Sequence, residues 1–401
     1  MDTVSRGQMI RRNRRRRGIS QEVLAGLIGR SESWLSQVER GKRKVDSHTV
    51  LTRIAEVLRV DIADLTGTEG DERDMRFAAV EEIERAMMRY SGLEATLAES
   101  DTQPVNAEGL RREADWTYAA YQATRYEDVG RRLPRLIQRV EAAAHSRSTD
   151  HPAICSTRAM VYNTTAAVLR RVGVTDLAWQ AADRAMFAAE SAEDPLLSAV
   201  GAYRLSYIFI SRKRPGEAAE LAMGAAHALE RRMHRDRPEE LSVYGGLHLA
   251  AATAAAAEFD RAAVPRLLSQ ARRAANRLGR DANLHGTAFG PTNVQIHTIS
   301  TAVTVGEHEM AIREGEGIAV TSLPPGLVGR RTQVHLDLAR AYAQKRMDAA
   351  AVNTLLEAEQ LSPELIRYGA HSTELLTTLL RREHQRSTPQ LRALAARAGI
   401  T

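Results

Sequence analysis

Residues 17–42 read RGISQEVLAGLIGRSESWLSQVERGK. Ser20 stands where a helix N-cap is wanted, Gln21 and Glu22 follow in a first turn, and Leu24, Ala25 and Ile28 recur at helical spacing. Gly29 ends that segment, since the residue just past a helix often needs φ above zero. Ser31 then caps a second segment, in which Trp34, Leu35 and Val38 face inward. What it shows outward is Glu32, Ser33, Ser36 and Gln37, short hydrogen-bonding groups where a surface helix normally carries charge. Serine is only a middling helix former, so stability alone does not select that face. Upstream, GQMIRRNRRRR (7–17) forms a short basic helix closed by Gly18. Downstream, Asp46 or Ser47 caps a helix carrying Val50, Leu51, Ile54, Ala55 and Leu58, and Val60, Ile62 and Leu65 close a fifth. Five short helices with a tight glycine turn between the second and third make a helix-turn-helix domain over residues 1–66.

Composition agrees with an all-α chain. The 401 residues are 43% hydrophobic, poor in aromatics and rich in alanine, which suits closely packed helices, and the length allows two or three domains. No stretch approaches the roughly 18 consecutive apolar residues of a membrane span, and the arginine-rich N-terminus lacks the apolar core of a secretory signal. One cysteine, Cys155, excludes an internal disulfide framework and fits a reducing cytoplasm. Charge is uneven: residues 1–66 hold 14 Lys/Arg against 8 Asp/Glu, while the whole chain holds 56 against 50, so residues 67–401 balance. A basic excess confined to a patterned head is the electrostatic footprint of a nucleic-acid partner.

The head resembles the helix-turn-helix of the XRE family, which includes the lambda-type phage repressors and Cro proteins. The matching positions include Arg14, Gly18, Ser20, Gln21, Leu24, Ala25, Gly29, Ser31, Ser33, Leu35, Ser36, Glu39 and Gly41, continuing with Leu51, Ile54, Ala55 and Leu58. Val45-Asp46 departs from the family pattern, and Trp34 is large for its position. The resemblance implies that the third helix lies in the major groove, with Glu32, Ser33, Ser36 and Gln37 as base contacts. Gln37 could pair bidentately with an adenine, and Glu32 could accept from a cytosine amino group. Gln21, Arg30, Arg40, Lys42, Arg43 and Lys44 are then the expected phosphate contacts, which set affinity without reading sequence. Arg14 and Glu39 are implied to be a buried or half-buried ion pair, assigned to structure.

After Leu65, GTEGDERD reads as a polar linker, and residues 72–90 return to helix with Phe77, Val80, Ile83, Met87 and Tyr90 on one stripe. Residues 67–108 are read as linker and connecting helix, with 98–108 an irregular loop. From 109 to 401 helical segments alternate with breaks near Gly130, Gly173, Pro195, Pro215, Pro238, Gly279, Gly306, Gly326, Arg346 and Pro363. LAWQAADRAMFAAE, GEAAELAMGAAHAL, LLSQARRAANRLG, HEMAIREGEGIAV and AAAVNTLLEAEQL recur at roughly 38 to 47 residues, the range of helix-hairpin solenoids. They resemble degenerate tetratricopeptide repeats. With the XRE head, and with stretches such as TDLAWQAADRA and LDLARAYAQ, the whole chain resembles a large family of actinomycete transcriptional regulators, and more distantly the peptide pheromone receptors of Gram-positive bacteria.

The resemblance implies that the first helix of each pair lines a concave face. On those helices Tyr162, Asn163, Arg204, Tyr207, His248, Asn293 and His297 are candidate effector contacts, beside Tyr203 and Tyr244. Asn293 and His297, four apart, share a helix face. No metal, catalytic or phosphate-loop spacing occurs, so no cofactor and no enzyme is expected. The reading is a cytoplasmic, homodimeric regulator binding double-stranded DNA at an inverted repeat and sensing a peptide or small-molecule effector. The alternative is a repeat scaffold for protein partners, tethered to DNA by its head.

Overall fold

A computed structural model describes residues 7, 10, 11, 14, 15, 19–43, 45, 48–58, 77–89, 106–145, 150–233, 237–384 and 386–400. Among them every regular element is helical. The chain divides into two compact units, Met1–Arg76 and Phe77–Thr401.

In the first unit α1 (Gln21–Leu27) and α2 (Glu32–Glu39) are joined through Gly29, whose φ of 69° is the left-handed conformation the tight turn requires. Both expected caps form: Ser20 Oγ accepts from the Val23 amide at 3.1 Å and Ser31 Oγ from the Trp34 amide at 3.2 Å. With α3 (His48–Leu58) they enclose one core of Leu24, Ala25, Leu35, Val38, Leu51, Ile54 and Leu58, joined by Ile10 from the upstream helical residues. Trp34 sits half-buried at its edge, with the Arg30 guanidinium 5.5 Å from the ring centroid. The expected fifth helix over 60–65, the caps at Asp46 and Ser47, and Lys44 lie outside the described residues.

The second unit begins with α4 (Ala79–Met88). Its stripe of Phe77, Val80, Ile83 and Met87 is buried in the same core as Val129, Leu133 and Ile137, so this helix is part of the second unit rather than a bare connection. Among the described residues six antiparallel hairpins follow: α5 (Ala107–Gln122) with α6 (Tyr126–Ala144), α7 (His151–Val172) with α8 (Thr175–Ser191), and α9 (Pro195–Ser211) with α10 (Pro215–Glu230). Then come α11 (Pro238–Ala257) with α12 (Ala263–Leu278), α13 (Pro291–Val305) with α14 (His308–Glu316), and α15 (Val328–Gln344) with α16 (Asp348–Leu361). Three shorter helices succeed them, α17 (Pro363–Tyr368), α18 (Ala370–Leu380) and α19 (Leu391–Arg397). The five small-residue segments singled out in the sequence are the second helices α8, α10, α12, α14 and α16.

The turn inside every hairpin is built the same way. Thr124, Gly173, Lys213, Phe259, Gly306 and Arg346 all take positive φ. Each donates its N–H to the carbonyl three residues back, and the next N–H reaches five back, as in Gly173 to Arg170 and Val174 to Leu169. This is the Schellman closure of a helix C-terminus. Four of the six residues are not glycine, so composition hides a repeat that the backbone shows plainly.

One expected break is absent. Gly130 lies inside α6, and the turn falls at Thr124 instead. A Cβ at Gly130 would run into the Ala79 methyl and the Phe77 ring, so this glycine lets α4 cross α6 closely rather than ending a helix. Residues past the last hairpin fold back onto the first. Ser362 Oγ donates to Thr124 Oγ1 at 2.7 Å, Tyr368 donates to Glu127 Oε1 at 2.6 Å, and the Glu127 amide donates to Glu364 at 2.9 Å. The array therefore curls until the first helices of its hairpins share an interior.

Candidate functional site

Two places gather polar chemistry, one in each unit. In the first, Arg14 grips Glu39 bidentately, Nε to Oε1 at 2.7 Å and Nη2 to Oε2 at 2.9 Å, while Nη1 donates to the Ile19 carbonyl at 2.8 Å. Both side chains are buried, and the hydrogen bond to Glu39 raises the guanidinium above its ordinary range. Gln21 Nε2 adds a third donor to Glu39 Oε2 at 2.7 Å. Its amide was expected to serve a phosphate; one of its N–H groups is instead committed to orienting the ion pair. An open groove of about 490 Å³ runs beside this pair, walled by Arg11, Arg15, Ser20, Glu32, Ser36 and Arg40. Ser33 is exposed and Gln37 half-buried on α2. Arg40 Nε turns back to the Ser36 carbonyl at 3.1 Å. The Gln37 carbonyl accepts from the amides of Lys42 and Arg43 at 2.9 and 3.3 Å, which fixes the loop bearing those two cations. A short helix with small donors and acceptors outward and arginines at its flank has the equipment for reading base edges between phosphates.

In the second unit a cavity of about 390 Å³ opens among the first helices of the hairpins. Tyr118 and Tyr121 come from α5, Asn163, Arg170 and Arg171 from α7, Tyr203, Arg204 and Tyr207 from α9. Thr253 comes from α11, His297 and Ser300 from α13, Arg330 and Gln333 from α15. Arg204 donates to the Gly286 carbonyl at 2.6 Å and bonds the Tyr118 hydroxyl, which itself reaches Gly286 at 2.6 Å. Arg330 meets the Tyr203 hydroxyl at 3.3 Å, and Arg171 meets Gln333 Oε1 at 3.4 Å. Every one of these acceptors is neutral. Burial alone would raise the Tyr121 phenol, but Arg171, Arg170, Arg204 and Arg330 around it more than offset that and pull it below its ordinary value. Burial, helped by Arg330, pushes His297 down to about 3, so its ring is neutral. Arg170 is held below its usual value by burial and by Arg171 beside it.

The helix-turn-helix domain family matches residues 7–66. Among solved structures the chain is similar to Bacillus thuringiensis PlcR in complex with the peptide PapR7 and DNA. That likeness has 17% identity and a TM-score of 0.35, over 69% of this chain and 96% of that one. No curated protein matches the chain. Among the described residues no helix is long and apolar enough to cross a membrane.

The expected contacts divide accordingly. Around the helix-turn-helix, Glu32, Ser36 and Arg40 share the groove with Arg11 and Arg15, whereas Arg30 stacks on Trp34. Of the repeat-unit candidates, Asn163, Arg204, Tyr207 and His297 line the cavity. Tyr162 does not: its ring is buried between Arg158 and Arg184, and Arg184 donates to its hydroxyl at 3.2 Å. His248 is buried elsewhere, its ring 4.4 Å from that of Tyr244 and its Nδ1 3.0 Å from the Tyr244 carbonyl. Asn293 is buried outside the cavity wall, and among the described residues neither side-chain polar atom has a partner. Arg170, Arg171, Arg330, Tyr118 and Tyr121 went unread. Arg170-Arg171 has a bland interpretation, two cations in the last turn of α7 complementing its dipole, and Arg330 lies in the first turn of α15 with no motif around it.

Proposed function

We propose that the chain is a sequence-specific DNA-binding transcription regulator of the XRE type, akin to those of actinomycetes, whose repeat unit dimerises and senses a peptide or small-molecule effector. The observation carrying the DNA half is α2. Its cap is formed, its apolar side is buried, and Glu32, Ser33 and Ser36 remain available beside Arg11, Arg15 and Arg40. Base contacts from Glu32, Ser33, Ser36 and Gln37 would read sequence, while Lys42, Arg43 and Arg40 would neutralise phosphates. A two-fold dimer would set two heads about one helical turn apart on an inverted repeat. The observation favouring a sensing role for the repeat unit is the cavity lined by arginines and tyrosines, which a scaffold acting through outer helix faces does not require. An effector acts only through different affinities for DNA-competent and incompetent arrangements.

A Ser33→Ala, Gln37→Ala double variant tests this. Preference among duplexes should collapse while salt-sensitive nonspecific binding persists. Retained preference would remove α2 from the reading role.

A further inference from the structure

We propose that the cavity between the first helices of the hairpins binds a compact organic anion carrying at least two negative charges and hydroxyl or amino donors. This rests on the reading of the repeat unit as the sensing part.

Charge is the first argument. Arg170, Arg171, Arg204 and Arg330, each half-buried, face a volume of about 390 Å³ with the exposed Lys213 at its edge, and among the described residues no carboxylate is part of its wall. Among the described residues none of the four arginines has an ion-pair partner; their contacts are phenols, an amide oxygen and a backbone carbonyl. Charges withdrawn from water without an opposite charge are costly, and natural proteins pair them or bring in a counter-ion. Asp337, whose charge acts on Arg171, sits behind the wall and accepts from Gln333 at 3.1 Å. One carboxylate cannot neutralise four guanidiniums.

The donors follow from orphaned acceptors. Asn163 is 6% exposed and His297 5%, both line the cavity, and among the described residues Asn163 Oδ1 and His297 Nε2 have no partner. The Thr253 hydroxyl spends its hydrogen on the Leu249 carbonyl at 2.8 Å. Its oxygen therefore accepts from His297 Nδ1 at 3.3 Å, so the proton of the neutral ring is on Nδ1 and Nε2 is a bare acceptor. Each of these atoms would be satisfied by a hydroxyl or amino hydrogen on the ligand. Tyr118, Tyr121, Tyr203 and Tyr207 give flat walls against which a ring or sugar face can pack. The volume is that of a small-molecule site. Phosphate and carboxylate share the required chemistry, since guanidinium grips either bidentately.

The test is calorimetric titration and thermal melting of the full-length protein with inorganic pyrophosphate, citrate and adenosine diphosphate, in wild type, Arg170→Gln and Arg330→Gln. At least one probe should bind and raise Tm; pyrophosphate or the nucleotide alone would indicate phosphate, citrate alone carboxylate. Each substitution should weaken that probe by about tenfold or more, the worth of a charged hydrogen bond. In the absence of probe the variants should melt at or above wild type, because an uncompensated charge has gone; arginines serving structure would lower Tm instead. Binding by none of the probes overturns the proposal, as does binding undiminished in the variants, which would place the anion on the basic head. DNA affinity measured with and without the bound probe separates the two claims. A cavity-bound probe that leaves DNA affinity unchanged keeps the site and rejects its sensing role. DNA preference without any probe binding rejects the site and keeps the DNA reading.

Discussion

The two units handle arginine withdrawn from the surface in opposite ways. In the head, Arg14 is enclosed with a bidentate carboxylate, and Gln21 and the Ile19 carbonyl complete the set. In the repeat unit, four half-buried arginines converge on a cavity, and among the described residues every acceptor they bond is neutral. A satisfied pair orients two helices and adds little net energy. Cations left without an opposite charge put electrostatic stress into the fold, which a ligand of the right charge relieves. Both units are helical and arginine-rich, and the partner of the guanidinium separates framework from site.

Breaking the satisfied pair should have the largest effect. Glu39→Ala leaves Arg14 buried and alone, and should destabilise the head by about 3–5 kcal/mol, seen as faster amide exchange over α1 and α2 with the repeat unit unchanged. Asp337 sharpens the other side. Burial raises its carboxyl from 3.8 to about 6, with only Gln333, Arg340 and other neighbours pulling back. The folded state thus favours the protonated form, so its destabilisation is full above pH 6 and fades as pH falls toward 4. His297 runs the other way, because a folded value near 3 makes protonation costly as pH drops below the usual histidine range. Comparing wild type with Asp337→Asn isolates the aspartate: the variant should be more stable by about 1–3 kcal/mol at pH 7.5 and converge with wild type near pH 4. An equal Tm at both pH values would mean that the carboxylate is compensated after all. Gln21→Ala removes one hydrogen bond from the head's pair and should cost about 1 kcal/mol, with DNA binding weakened only slightly. Replacing Lys42 and Arg43 together by alanine should leave stability within about 0.5 kcal/mol. It should also flatten the salt dependence of DNA binding by roughly one unit per lost phosphate contact; an unchanged slope would show that the loop never meets the backbone.

The head was legible because its signals are local. Caps at Ser20 and Ser31, a glycine with φ of 69°, and apolar residues at helical spacing each act within a few residues. The repeats were legible in their small second helices but not in their turns. Lys213, Phe259 and Arg346 take the left-handed conformation that a sequence advertises only when the residue is glycine. Gly130 misled for the converse reason, being a packing residue inside a helix. The cavity was half legible. Asn163, Arg204, Tyr207 and His297 sit on first helices at readable positions, but whether a polar residue faces the interior or a neighbouring hairpin depends on how the array curls. That curl rests on contacts such as Ser362 with Thr124, 238 residues apart. Tyr162 and His248 share the helix type and face the core instead.

Selection of binding sites from a random duplex library with the full-length protein tests the DNA-reading claim most directly. An enriched inverted repeat with half-sites about one helical turn apart is the expected result. Salt-sensitive binding with no enriched sequence, in the presence as in the absence of the anionic probes, would contradict it.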